Sequence, residues 1–351
     1  TADELLGLTI CEPAMGSAAF LNEGVNQLAE AYLERKQKEL NQRISNEDYA
    51  QALQRVRMYI ADRNTFGVDL NPVAVELAEI SLWLNAIHPG RQVPWFGYQL
   101  FNGNSLVGAR REVYEARRLL KQDQDNLWYS RAPRRINPLN VDRKETEIYH
   151  FLLPDPGMAK YQDKTAKSLK PDAFRKVKEW NKEFNQPLTD SQIDILQKLS
   201  GKIDQLWQEH AEQLDQDRNR TEDNLKVWPD DVTLESATTT TEKDTIKATG
   251  IFNLNSKHAS AYRRLKMVMD YWCALWFWPL EQVDLLPSRD VFIMEIGLLI
   301  HGNVMDSEIV ETLPEFPDQT EIWETAEKTG VSQTEIPNFE SETPVQMELG
   351  V

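Results

Sequence analysis

Two cysteines in 351 residues, Cys11 and Cys273, cannot build a disulfide framework and fit a reducing compartment. The five histidines (His88, His150, His210, His258, His301) are scattered, and none pairs with a cysteine at the spacing of a structural zinc site. No run of 18 apolar residues is present, and the N-terminus lacks the basic and apolar regions of a signal peptide. The expectation is a soluble, cytoplasmic chain with no membrane partner. Positive charge is also scarce: 39 Lys+Arg against 56 Asp+Glu give a formal charge of −17. That balance argues against a protein coated in basic surface. The deficit is uneven, however, at −2 over residues 1–150, −4 over 151–301 and −11 over 302–351. The acidity is mostly a tail. Hydrophobic residues, at 41%, are enough to bury a sizeable core.

Over the first hundred residues strand and helix alternate. Leu8–Cys11 is a short apolar run ending in the turn Glu12-Pro13-Ala14-Met15-Gly16-Ser17. Helical spacing follows from Leu21 through Val25, Leu28 and Tyr32, then a polar helical stretch around Tyr49–Ile60. Thr65–Asp69 reads as a buried strand, and Asn71 as an N-cap with Pro72 at the first helical position. The helix Val73–Ile87 is apolar nearly all round, the pattern of one packed between a sheet and other helices. Tyr98–Phe101 is a third strand, running into Asn102-Gly103-Asn104. This order predicts an α/β fold with a parallel sheet and right-handed crossovers.

Beyond residue 107 the character changes to a mostly helical region. Residues 110–144 carry ten bases against five acids, best read as a solvated helical face, with tracking of DNA phosphates the sharper alternative. Ile193, Leu196, Ser200, Ile203, Trp207, His210 and Leu214 trace one face of a long helix. The threonine-rich stretch 229–248 reads as a loop, the Trp-dense helix 259–280 as core, and Val291–Ile300 as buried.

Three features stand in the order a nucleoside cofactor needs. The turn after the first strand holds small residues that let a ligand approach the backbone. Asp69, ending the second strand, can accept hydrogen bonds from ribose hydroxyls. Asn104, after the third, can read an adenine edge. A dinucleotide would want three glycines, whereas here only Gly16 is glycine and Glu12 sits at the mouth. A carboxylate there repels pyrophosphate and suits a ligand with an ammonium group, as S-adenosylmethionine has.

Glu12-Pro13-Ala14-Met15-Gly16-Ser17-Ala18-Ala19-Phe20-Leu21 resembles the first motif, (D/E)-P-A-x-G-S-G-x-F-L, of the N6-adenine DNA methyltransferases of restriction-modification and phage-defence systems. Gly67-Val68-Asp69-Leu70-Asn71-Pro72 is similar to their second motif and Gly103-Asn104-Ser105-Leu106 to their third. The resemblance covers residues 8–108. It implies a partial Rossmann-like methyltransferase fold with S-adenosylmethionine as cofactor and double-stranded DNA as the full-length partner. It further implies Glu12 near the methionine amino group, with Pro13, Ala14, Gly16 and Phe20 around it. Asp69 would then lie on the ribose, Leu70 against the adenine face and Asn104 near the adenine amino group. Two departures stand out. Ala18 replaces the second glycine, and the catalytic motif (N/D/S)-P-P-aromatic is absent, since Asn137-Pro138-Leu139-Asn140 and Pro154-Asp155-Pro156-Gly157 both lack the aromatic.

The expected organisation is a cofactor-binding half (1–108), a mostly helical insertion (109–301) and an acidic tail (302–351). The catalytic strand is expected beyond Val351, so no catalytic residue and no metal ligand is assigned and the chain alone is expected to be inactive. The competing readings are a non-catalytic interaction module with a degenerate nucleotide fold, and a Rossmann protein for another nucleotide.

Overall fold

A computed structural model of the chain describes residues 1–88, 94–120, 128–137, 142–230, 238–252 and 260–302. The expected acidic tail therefore lies, beyond Gly302, outside the described residues, as do Pro138–Asn140. The architecture is mixed α/β, mostly helical, with a small parallel sheet of three strands.

The chain opens with α1 (Ala2–Leu6), closed at its start by a capping box between Thr1 and Glu4. Strand β1 (Ile10–Glu12) leads into α2 (Ala19–Leu40), and α3 (Asn46–Asn64) follows from its Ser45 cap. Strand β2 (Thr65–Asp69) occupies the expected residues, and α4 (Pro72–Ala86) starts at the Asn71 cap with Pro72 in its first turn. Strand β3 (Leu100–Asn102) completes the sheet in the order β1-β2-β3, all parallel, two residues later than expected. The register pairs Glu12 with Gly67 and Asp69 with Asn102, so the three strands end together.

One face of this sheet, carrying Ile10, Thr65, Gly67 and Leu100, is covered. Gly24 of α2 lies against Ile10, and a Cβ at Gly67 would meet the Met15 sulfur, which is why the turn after β1 can fold over β2. Helices α2, α3 and α4 pack around Leu21, Val25, Val56, Ile60, Ala78 and Leu82 on that side. The opposite face carries Cys11, Phe66, Val68 and Phe101. Cys11 and Phe101 are exposed there, while Arg218 lies over Phe66 and Phe252 leans on Phe101.

The helical region contains a second sheet that periodicity did not announce. Strand β4 (Glu112–Glu115) pairs antiparallel with β5 (Arg134–Arg135) and β6 (Glu147–Tyr149), with the short α5 (Arg117–Leu120) between. Apart from the short α5, the described part of the basic stretch is therefore strand and loop, not one helical face. Its strand partners are up to 36 residues apart, and three of its arginines are engaged: Arg134 bridges Glu147 (2.6 Å) and Asp142 (2.9 Å), Arg135 meets Glu112 (3.1 Å), and Arg143 meets Asp204 (2.7 Å). Helices α6 (Lys164–Leu169), α7 (Pro171–Phe184) and α8 (Asp190–Thr221) follow, the last 32 residues long and opened by a Thr189–Gln192 capping box. On α8, Ile193, Leu196, Ser200 and Ile203 are buried as their spacing predicts.

The threonine-rich stretch is corrected in part. Residues Thr240–Thr249 form a helix, α9, because Thr239 and Glu242 build a capping box that offsets the low helix propensity of threonine. Helices α10 (Ala261–Ala274) and α11 (Arg289–His301) close the region, α11 ending at Gly302 with φ +88°. Trp272 belongs to the core, its indole N–H donating to the Leu153 carbonyl at 2.9 Å. Among the described residues no helix is long and apolar enough to cross a membrane.

Candidate functional site

The three loops that carry the motifs leave the same end of the parallel sheet. The first is shaped by backbone bonds: Met15 N–H donates to the Val68 carbonyl (3.1 Å) and Ala18 N–H to the Met15 carbonyl (2.8 Å). Met15 is buried, so the turn is pinned over β2 while Pro13 and Ala14 stay exposed. Gly16 has φ +54° with open space where a Cβ would stand. Ala18 has φ 63° and ψ 31°, left-handed backbone that glycine adopts at lower cost. The departure from the family pattern at this position is thus a strained alanine in a glycine conformation.

Asp69 ties this turn to the next. One carboxylate oxygen accepts the Gly16 N–H at 2.8 Å and the other the Asn71 N–H at 2.9 Å. These two amides, Asn71 first, hold its carboxyl below the usual range. Asp69 is therefore anionic at neutral pH and fixed in direction, with lone pairs left to accept hydroxyl donors. Plain helix capping accounts for Asn71, whose side chain accepts the Val73 N–H at 3.0 Å, but not for Asp69.

Glu12 lies beside this arrangement at the end of β1. One of its carboxylate oxygens, Oε2, is buried and has no hydrogen-bond partner, and burial pushes its pKa up. A buried carboxylate oxygen without a donor is costly and invites one. Phe20 and Leu70 stand open to solvent at the same end, 79% and 69% exposed.

Asn104 is engaged differently from its expected role. Its Oδ1 accepts the N–H groups of Leu106 (2.9 Å) and Val107 (3.1 Å), which makes it the organiser of its own turn. Its amide nitrogen keeps its donors. The residue that couples the third strand to the site is Asn102, two positions earlier and not singled out by the motif. Its side chain donates to the carbonyls of Asp69 and Leu70, both at 3.0 Å. The signal that could have found it is positional, since Asn102 pairs with Asp69 across the sheet.

A second polar group gathers at the other end of the sheet. Lys243 of α9 is buried and pairs with Asp223 at 2.8 Å, and Asp62 of α3 lies near both. Burial pushes the Asp62 carboxyl up to about 7, against the pull of Lys243. Asp62 also lines a cavity of about 100 Å³ with Arg63, Trp95, Tyr98, Gln99 and Arg218. Tyr32 donates to the Trp228 carbonyl (2.9 Å) and Arg63 to the Asp223 carbonyl (2.7 Å), so this end joins the sheet-bearing and helical regions.

Among the described residues no group of three or more His, Cys, Asp or Glu could hold a metal ion. The chain matches no family model, no curated protein and no solved structure.

Proposed function

We propose that residues 1–108 bind S-adenosylmethionine, as the cofactor-binding part of a methyltransferase acting on adenine N6 in DNA. The observation that carries the cofactor reading is the orphaned buried Oε2 of Glu12 beside the anionic Asp69. An ammonium group fits the first, a pair of ribose hydroxyls the second, and a pyrophosphate neither. When bound, the cofactor supplies an electrophilic methyl on a sulfonium. The protein's part is to hold it: Glu12 takes the amino group, Asp69 the ribose, and Phe20 and Leu70 give an apolar bed for the purine. The Gly16 amide and Asn102 keep Asp69 aimed. Two carboxylates facing a cationic ligand also favour it electrostatically over a neutral analogue.

The Rossmann-like assignment belongs to this proposal. Parallel sheets are normally covered on both faces. Here Cys11 and Phe101 lie exposed on one of them among the described residues, as in the half of a doubly wound sheet whose second helical layer comes from elsewhere. The adenine-N6 and DNA components rest on the motif order alone. The arginines of residues 134–143 are engaged in ion pairs and add no support for DNA. With no N-P-P-aromatic sequence in the chain, the motif that would hold the target amino group in line with the methyl is missing, and the chain by itself is expected to transfer no methyl.

Titration calorimetry with S-adenosylmethionine tests the reading. Binding is expected for the wild type, with at least a tenfold loss in Glu12→Gln and in Asp69→Ala. No heat at millimolar cofactor overturns it in favour of the interaction module, the second reading, which the exposed Phe20, Leu70 and Leu106 at the same end favour. Methyl transfer to adenine in DNA by this chain overturns the claim that it is inactive alone.

A further inference from the structure

Helix α4 carries a face that nothing among the described residues covers. Its inner side, Ala78, Leu82 and Ala86, is buried against the sheet and neighbouring helices. On its outer side stand Val73, Leu77, Ile80 and Leu84, with Ile87 just past the last turn, each between 50% and 60% exposed. Their spacing is four, three, four, three. That is a continuous apolar stripe of the kind helices use to pair side by side, and five exposed large aliphatic residues in register are not the scattered apolar side chains of an ordinary surface.

We propose that this face of α4 pairs with the same face of a second copy of the chain, antiparallel, about a two-fold axis through Ile80. Two observations select a second copy. The first is symmetry: the stripe reads nearly the same in both directions from Ile80, so Val73 meets the second copy's Ile87 and Leu77 sits beside its Leu84. An interface that is its own complement closes as a dimer. The second is area. Half-exposed side chains of this size place on the order of 500 Å² of apolar surface on one copy, about 1,000 Å² in the pair. With the flanking Glu76 and Trp83 the total reaches about 1,200 Å², the lower limit for a specific interface.

Charge sets the direction. Two exposed charges stand beside the stripe, Glu76 at its edge and Glu79 a further turn of about 60° round the helix, so Glu76 is the one that reaches the seam. Parallel pairing would set it against Glu76 of the second copy, whereas antiparallel pairing sets it near Leu84 and separates the two acids by about two helical turns. The covered area predicts a concentration-dependent dimer. The proposal does not use Phe20, Leu70 or Asp69, so it stands apart from cofactor binding.

Sedimentation equilibrium of the full chain, over about 1–100 μM, tests it. The wild type is expected to pass from monomer to dimer, and Ile80→Glu and Ile80→Lys are each expected to stay monomeric. Ile80 is half exposed, so both variants should keep the wild-type circular dichroism. Mixing the two restores the dimer, because the opposed charges meet at the axis. A wild type that stays monomeric at 100 μM overturns the proposal. A dimer that survives Ile80→Glu places the contact on another surface and also overturns it. A mixture that stays monomeric overturns the two-fold axis through Ile80.

Discussion

Residues 1–108 and the helical region 109–301 treat their surfaces differently. Of the sixteen exposed large apolar side chains among the described residues, twelve fall in the first and four in the second, although the second is much the longer. In the helical region two carboxylates are answered by close partners. Glu147 is buried and held by Arg134 and the Lys144 amide (2.8 Å), and Asp204 is shared between Arg143 and the Tyr149 hydroxyl (2.8 Å). A buried carboxylate oxygen with no donor occurs in both regions, at Glu12 in the first and at Asp223 in the second. The contrast is therefore one of exposed apolar surface and not of buried charge. The sheet-bearing region leaves apolar side chains open at the strand ends, on a sheet face and along α4.

The sharpest way to break this comparison is to ask whether the two regions are separable. Val227 packs in the sheet-bearing core although it follows α8, and Tyr32 and Arg63 bond across to residues 228 and 223. Phe292→Ala, deep in the helical core, is expected to cost about 3–5 kcal/mol and to lower a single unfolding transition seen equally by far-UV and tryptophan signals. Two separated transitions would show that the regions fold independently.

Lys243→Met tests the polar joint itself. The substitution keeps the aliphatic stem and leaves Asp223 and Asp62 without their cation, at an expected cost of about 2–4 kcal/mol in urea at pH 8. A neutral result would mean that water, not Lys243, balances those carboxylates.

Asp62 gives the joint a pH dependence of definite sign. Its folded pKa is raised to about 7 from an ordinary value near 4, so between these limits the folded chain keeps a proton that the unfolded chain has released. Stability therefore falls as pH rises through this window and levels off above it. Asp62→Asn should be more stable than the wild type by about 1–2 kcal/mol at pH 8, with the difference shrinking toward pH 4.5. Denaturation at both pH values checks this, and a destabilised Asp62→Asn at pH 8 would mean that Lys243 keeps Asp62 charged.

The smallest effect is expected at Ala18. Glycine there relieves left-handed strain of about 1–2 kcal/mol, but loses a buried methyl and gains freedom in the unfolded chain. The terms nearly cancel, so Ala18→Gly should shift stability by less than about 0.5 kcal/mol. A loss near 2 kcal/mol would show that the methyl group holds the turn in place.

Much of the fold was legible where a local rule decides it. Thr65–Asp69 was readable as β2 because a β-rich run ends at a cap, and α4 because Asn71 and Pro72 set its start. Two local readings failed for lack of a rule strong enough. The capping box of Thr239 and Glu242 outweighs threonine's poor propensity over 240–249, and β4 finds partners too distant for any periodicity to show. At the candidate site the turn, Asp69 and the orphaned Glu12 sit where their order along the chain suggested. Asn102 and Asn104 exchange emphasis, because which of two nearby amides reaches Asp69's loop depends on the pairing of β3 with β2.

By itself the sequence determined the alternation of strands and helices in the first hundred residues, the caps that bound them and the residue types gathered at the strand ends. These depend on backbone propensity and on neighbours a few residues away. Only the tertiary structure decided that Glu12 keeps a buried oxygen without a donor, that Arg134, Arg135 and Arg143 of the basic stretch are engaged in ion pairs, and that α4 has a bare side among the described residues. An apolar helix reads the same whether its faces are covered or not, since burial is a property of what packs against a residue and not of the residue itself.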